Sequence, residues 1–142
     1  MIVPDLNLLV YAYNADAPEH SRARTWWETC LSDIRPVGFA WSVIVGYLRL
    51  MTSRKLQLEP CTVPEAMGYL RSWLERPQVE ILTPGPRHLD LLDSLMRDAQ
   101  GSGDLAVDAH LAALAIEYGA ELHSNDADFS RFPGLRWINP LA

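Results

Sequence analysis

Cysteine, long apolar runs and internal repeats are all scarce in this chain of 142 residues. Its two cysteines, Cys30 and Cys61, lack the spacing of a metal site, so we expect reduced thiols and a cytoplasmic protein. No apolar run approaches the roughly 18 residues that a membrane helix needs. No basic segment precedes the apolar start, which argues against a secretory signal. The four histidines show no zinc spacing.

Positive charge is also scarce, with 12 Lys and Arg against 18 Asp and Glu and a formal net charge of −6. This argues against a general nucleic-acid coat, because such proteins present a net basic surface. It leaves room for a nuclease whose acidic site is neutralised by metal. The 49% hydrophobic and 21% charged residues are typical of a globular protein. We expect one domain over residues 1–142, large enough to bury a core.

Short apolar segments alternate with helical patterns along the whole chain. Strands are predicted over residues 2–3, 37–40, 79–82, 121–123 and 136–138. Helices are predicted over residues 6–13, 20–31, 42–51, 62–74, 86–99 and 105–118. Ser42 and Asp104 are predicted helix caps, and Thr62 with Glu65 has the capping-box spacing. This alternation predicts an α/β fold, with a parallel twisted sheet of about five strands and helices on both faces.

Three aspartates stand at the ends of these elements. Asp5 follows the first strand, Asp126 follows the fourth, and Asp108 lies one turn into the last helix. Ligands bind beyond the carboxyl ends of parallel strands, so we expect the three to face one crevice. Two carboxylates ~4 Å apart repel by roughly 4 kcal/mol at an effective dielectric near 20. A divalent metal would supply the missing charge, which makes metal-assisted phosphodiester hydrolysis the leading hypothesis.

Each of these residues also has a structural interpretation. Asp5 and Asp126 are both placed to cap a helix, and Asp104 is more typical of a cap than of a ligand. Asp128 is expected to be a helper or a structural residue. The five tryptophans are expected to be core or interface anchors, because no basic residues are interleaved with them.

Several stretches, taken in order, resemble one family of nucleases. They are residues 4–12 (PDLNLLVYA), 47–52 (YLRLMT), 108–115 (DAHLAALA) and 125–129 (NDADF), followed by 132–135 and 139–141. Their order and spacing resemble the PIN-domain nucleases, and within them the VapC toxins of bacterial toxin–antitoxin pairs. The resemblance implies a domain that usually dimerises and a Mg²⁺- or Mn²⁺-dependent endoribonuclease. It also implies an RNA substrate, tRNA or ribosomal RNA, and inhibition by a cognate VapB antitoxin.

The resemblance also assigns roles to individual residues. Asp5, Asp108 and Asp126 match family acids, so they are the candidate catalytic and metal-binding residues. On this basis Asp5 and Asp108 would bind the metal, and Asp126 would bind a second ion or orient water. Small polar residues near the metal are matched by Asn7 and Ser124. Further candidates are Asp104 and Asp128 as supporting acids, and Arg49 as a ligand of substrate phosphate or as a salt-bridge partner.

One position departs from the family pattern. The second family acid is usually a glutamate, and Gly46 stands there in this chain, with no acidic residue nearby. An alternative hypothesis is therefore a catalytically impaired PIN-like domain that acts mainly by binding its antitoxin. A phosphatase of the haloacid-dehalogenase type is disfavoured, because that chemistry wants Asp where Asn7 stands.

Overall fold

The computed structural model describes residues 1–100 and 102–142, which fold into five strands and six α-helices. The strands are β1 (Ile2–Pro4), β2 (Val37–Phe39), β3 (Val79–Ile81), β4 (Glu121–His123) and β5 (Arg136–Ile138). The α-helices are α1 (Leu6–Tyr13), α2 (His20–Ser32), α3 (Trp41–Met51), α4 (Val63–Leu74), α5 (His88–Asp98) and α6 (Ala106–Glu117). Short 3₁₀ helices span Gly103–Leu105 and Ala127–Arg131.

The strands form one parallel sheet in the order β3-β2-β1-β4-β5. The chain therefore winds outward from β1 to β3 and then returns to place β4 on the other side of β1. Parallel crossovers are right-handed, so reversing direction moves the later helices to the opposite face of the sheet. This agrees with the packing of α1 against α2 and α3, and of α5 against α6. The predicted α/β sheet with helices on both faces is confirmed.

The point where the strand order reverses lies between β1 and β4. These strands pair in register, with Pro4 beside His123 at their carboxyl ends. The next residue, Asp5, donates its backbone N–H to the carbonyl of His123 over 2.9 Å. The two strand ends are thus bonded together at the position where open α/β sheets bind ligands.

Aromatic side chains fill the core on the side of α2, α3 and α4. Phe39 stacks on Trp73 with ring centroids 5.7 Å apart, and Trp27 meets Trp73 edge-on at 5.4 Å. Burying such large rings supplies much of the apolar area that stabilises a domain of this size. The expected core role holds for Trp27 and Trp73, whereas Trp41 is 57% exposed at the start of α3.

Two predicted helix caps are wrong. Ala40 is the single residue between β2 and α3. The helix therefore begins at Trp41, and Ser42 makes no capping bond. The turn before α6 is a 3₁₀ helix, so α6 begins at Ala106 and Asp104 makes no capping bond either.

Two other predicted helix ends are confirmed. Thr62 and Glu65 form the capping box of α4, with both reciprocal bonds present. Gly119 follows α6 with a φ of +60°, the left-handed conformation that glycine adopts without steric cost. Predicted strand ends at Ala40 and Leu82 run one residue too far.

Both cysteines are free thiols, as expected, and burial raises the pKa of Cys30 to about 11. None of the helices in the described residues has the length and apolar character that crossing a bilayer requires.

Candidate active site

The structure brings the three aspartates to one cleft beyond the carboxyl ends of β1 and β4. Asp5 follows β1 directly, Asp126 lies three residues beyond the end of β4, and Asp108 sits in the first turn of α6. All three line a cleft of about 160 Å³, together with Asn7 and Ser42. No basic residue lines this cleft within the part of the chain that the structure describes.

Asp5 is fixed in position by bonds to both of its carboxylate oxygens. Oδ1 accepts the backbone N–H of Leu6 over 2.8 Å, and Oδ2 accepts the hydroxyl of Ser124 over 2.7 Å. Burial raises the pKa of Asp5, the Ser124 and Leu6 bonds lower it, and the charge of Asp126 raises it. Asp5 therefore caps α1 and lines the cleft at the same time, so the two interpretations of this residue are compatible.

The convergence of the acids disfavours the charged form of Asp108. Burial, followed by the charges of Asp5, Asp126 and Asp128, raises the pKa of Asp108 to about 6. Burial and like charges both disfavour the ionised form of a carboxyl group. A carboxyl perturbed in this way inside a cleft is typical of a functional site, and a bound cation would reverse the shift.

The carboxylates of Asp108, Asp126 and Asp128 form a group that fits a divalent cation. One oxygen from each lies within 4.8 Å of the others. Asp126 is held in place because its Oδ1 accepts the backbone N–H of Asp128 over 2.9 Å, which caps the 3₁₀ helix Ala127–Arg131. Three carboxylates at this spacing suit a hard divalent cation, which prefers oxygen ligands.

Comparison with known proteins identifies the group to which the chain is related. A sequence profile of the PIN domain matches residues 2–135. The chain belongs to the PIN-domain family. Ribonuclease VapC33 of Mycobacterium tuberculosis is 42% identical over 141 residues, which cover 99% of each chain. The resemblance to the VapC group that the sequence motifs indicated is thereby confirmed.

Solved structures share the fold of this PIN domain. VapBC2 of Rickettsia felis, bound to a DNA fragment from its promoter, matches with a TM-score of 0.69 and 20% identity over 98% of both chains. VapC20 of Mycobacterium tuberculosis, described as a Sarcin-Ricin loop cleaving toxin, matches with a TM-score of 0.63 and 22% identity. That second match covers 96% of this chain and 99% of VapC20. At these identities the two likenesses show the fold alone.

Ser124 is the buried link between the acids of this PIN domain. It is fully buried, its hydroxyl donates to Asp5, and the same oxygen accepts the backbone N–H of Asp126 over 3.0 Å. A single serine thus sets the positions of two candidate acids that are far apart in sequence. Asn7, the other small polar candidate, lies exposed at the cleft.

Two sequence candidates lie outside the cleft. Asp104 is exposed in the 3₁₀ turn and is absent both from the cleft lining and from the three-carboxylate group. Arg49 is exposed in the last turn of α3, and no ion pair of Arg49 occurs among residues 1–100 and 102–142.

Gly46 faces the start of α1. A Cβ at this position would lie 2.6 Å from Cδ2 of Leu6, whose side chain also lines the cleft. Leu6 therefore occupies part of the space that an acidic side chain at position 46 would enter.

Ser42 was missed as a cleft residue, because the sequence pattern favoured a cap. The available signal was its position four residues before Gly46, which puts both on one face of a helix.

Proposed function

We propose that this PIN domain is the toxin of a VapBC-type toxin–antitoxin pair and a Mg²⁺- or Mn²⁺-dependent endoribonuclease that cuts tRNA or ribosomal RNA. The observation that carries the proposal is the cleft at the reversal of the sheet, where Asp5, Asp108 and Asp126 converge and no basic residue among the described ones joins the lining. The name of its relative VapC33, a ribonuclease, supports the same reaction class.

The residues of the cleft fit hydrolysis of a phosphodiester by water. Asp108, Asp126 and Asp128 would hold a divalent cation, which supplies Lewis acidity and lowers the pKa of water. Asp5, fixed by Ser124 and Leu6, presents a carboxylate in a set orientation beside them. Attack by water at phosphorus needs no nucleophilic side chain, and we expect products with a 5′-phosphate and a 3′-hydroxyl.

The test is cleavage of total cellular RNA by the purified protein in Mg²⁺ or Mn²⁺. We expect discrete fragments that vanish in EDTA and in Asp108→Ala, and that persist in the matched control Asp16→Ala, which lies in an exposed turn. Mapping the fragment ends would identify the RNA and the phosphate it retains. Fragments that persist in Asp108→Ala would contradict the assignment.

A catalytically impaired PIN domain that acts by binding its antitoxin is the second candidate. It is favoured by the missing carboxylate at Gly46 and by the approach of Leu6 to that position. The test compares RNA cleavage by wild type, Gly46→Glu and the double variant Gly46→Glu with Leu6→Ala, which clears the space. Cleavage only by a variant carrying the glutamate would favour this second candidate.

The proposed partners are a VapB-type antitoxin and a second copy of the chain, in the cytoplasm. The structure of VapBC2 from Rickettsia felis is that of a toxin–antitoxin pair, which supports the first partner. Large exposed apolar side chains, among them Trp41 and Val45 on α3 and Leu89 on α5, offer surface for association. Light scattering of the purified protein tests the dimer. Rescue of growth arrest by the co-expressed antitoxin tests the pair.

A further inference from the structure

We propose that Ser42 is a substrate-binding residue of this cleft, whose hydroxyl donates a hydrogen bond to a phosphate oxygen of the RNA. The inference rests on the proposed ribonuclease function and adds to it a residue outside the acidic set. It concerns contact with the substrate and not with the metal.

In the described part of the chain, the hydroxyl of Ser42 has no structural role such as capping a helix. It is partly exposed and lines the same cleft as Asp5, Asp108 and Asp126. It makes no capping bond, and its hydroxyl has no hydrogen-bond partner in the described part of the chain. Thr25 and Thr29 in α2 bond to the carbonyl four residues earlier, whereas Ser94 in α5 is unbonded among the described residues, like Ser42, but does not line the cleft.

The cleft also needs neutral donors if it is to hold a phosphate. Its lining contains three aspartates and no described basic residue, so the approach of an RNA anion is opposed. A metal offsets part of that charge, and the remaining phosphate oxygens require hydrogen-bond donors. Ser42 and Asn7 are the lining residues whose side chains donate hydrogen bonds without carrying charge.

The location of Ser42 favours an anion over a cation. It lies in the first turn of α3, where unpaired backbone N–H groups give a partial positive charge. The carboxylates that would hold a metal come from α6 and from the segment after β4, whereas Ser42 comes from α3. This location suits contact of the Ser42 hydroxyl with a phosphate oxygen.

Gly46 leaves the position one turn after Ser42 without a charge. It follows Ser42 by one turn on the same face of α3, and its missing side chain leaves no charged group there. A carboxylate at position 46 would accept the Ser42 hydroxyl or repel a phosphate bound to it. The effects of changing Ser42 and Gly46 should consequently be coupled.

The experiment compares wild type with Ser42→Ala, Ser42→Thr and the control Ser94→Ala, an exposed serine on α5. Three quantities are measured: kcat/KM for a short RNA that contains the mapped site, the Kd of that RNA by fluorescence anisotropy in Ca²⁺ and in EDTA, and the Kd of Mn²⁺ by calorimetry. Urea unfolding of each variant checks that the fold is intact.

We expect Ser42→Ala to lower kcat/KM and to weaken RNA binding by about tenfold or more, the range for a hydrogen bond to a charged group. Ser42→Thr should restore most of the loss, and Ser94→Ala should match wild type. The Mn²⁺ affinity of Ser42→Ala should stay within about twofold of wild type. In a Gly46→Glu background the loss caused by Ser42→Ala should shrink.

Two results would overturn this inference while leaving the ribonuclease intact. One is wild-type kcat/KM and RNA affinity in Ser42→Ala, and the other is a weakened Mn²⁺ affinity, which would place the hydroxyl on the metal. If wild type neither cuts nor binds RNA, the proposed function fails, and the role of Ser42 fails with it.

Discussion

At the scale of single residues, Ser124 does the most to organise the acidic cleft. Replacing it with alanine removes the hydrogen bond to Asp5 and leaves the Asp126 N–H without its acceptor. Because both groups are at least partly buried, we expect Ser124→Ala to lower the free energy of unfolding by about 1–3 kcal/mol. We also expect roughly tenfold weaker Mn²⁺ binding, because residues that orient metal ligands have effects of this size.

Urea unfolding and calorimetry measure these two effects. The matched control is Ser130→Ala, whose hydroxyl bonds to the Ala127 carbonyl in an exposed turn. It should change stability by no more than about 0.5 kcal/mol. Equal Mn²⁺ affinity in Ser124→Ala and Ser130→Ala would show that Ser124 does not position the acids.

Asp108 should reduce stability in the metal-free protein. Its pKa in the folded chain is raised to about 6, above the ordinary value of 3.8, so the folded state holds its proton more tightly than the unfolded state. Stability is therefore lost as pH rises between these two values. We expect Asp108→Asn to be more stable than wild type by about 1 kcal/mol at neutral pH, since exposure of the carboxylate limits the gain.

Well below the ordinary pKa of 3.8 the carboxyl group of Asp108 is protonated in both the folded and the unfolded wild type, and the stability difference from Asp108→Asn should disappear. Urea unfolding in EDTA at several pH values measures it, with Asp16→Asn as the exposed control. If wild type is as stable as Asp108→Asn at neutral pH, the cleft does not raise the pKa of Asp108.

At the scale of elements, the capping box of α4 is a local feature whose energy can be tested by itself. The Thr62 hydroxyl accepts the N–H of Glu65 over 3.2 Å, and the Glu65 carboxylate accepts the Thr62 N–H in return. We expect Thr62→Ala to lower the free energy of unfolding by about 1 kcal/mol, measured in urea. Thr25→Ala is the control, because Thr25 lies inside α2, where alanine is the better helix former. An equal loss in both variants would contradict the capping role.

Whether hydrogen bonds within one turn set a helix start explains which starts could be predicted from sequence. The α4 start was predictable because Thr62 and Glu65 interact within one turn. The α3 and α6 starts were not, because Ser42 and Asp104 resemble caps while the chain geometry after β2 and before α6 starts each helix elsewhere. A local sequence pattern predicts the end of an element where hydrogen bonds between neighbouring residues set that end.

At the scale of the whole molecule, the convergence of Asp5, Asp108 and Asp126 was predictable from the alternation of strands and helices alone. The finer arrangement was not. Asp128, expected to be a helper, joins Asp108 and Asp126 within 4.8 Å, and Asp5 already has both oxygens bonded. The helix cap at Asp126 was expected and Ser124 was a candidate, but these distances also depend on which atoms the Ser124 hydroxyl and the Asp126 carboxylate bond, which sequence periodicity does not encode.

The cleft also links the stability of the whole domain to divalent metal. A ligand that binds only the folded state adds about 2.7 kcal/mol at a concentration one hundred times its Kd. For a domain near this size, that corresponds to a rise in Tm of about 8 °C. We expect Mn²⁺ or Mg²⁺ to produce such a rise in wild type, EDTA to reverse it, and Asp108→Asn to lose most of it.

The chain carries a net charge of −6, so salt alone could relieve repulsion between its acidic residues. A NaCl control at equal ionic strength separates the two causes, because a NaCl rise matching that of Mn²⁺ would mean screening and not a bound metal.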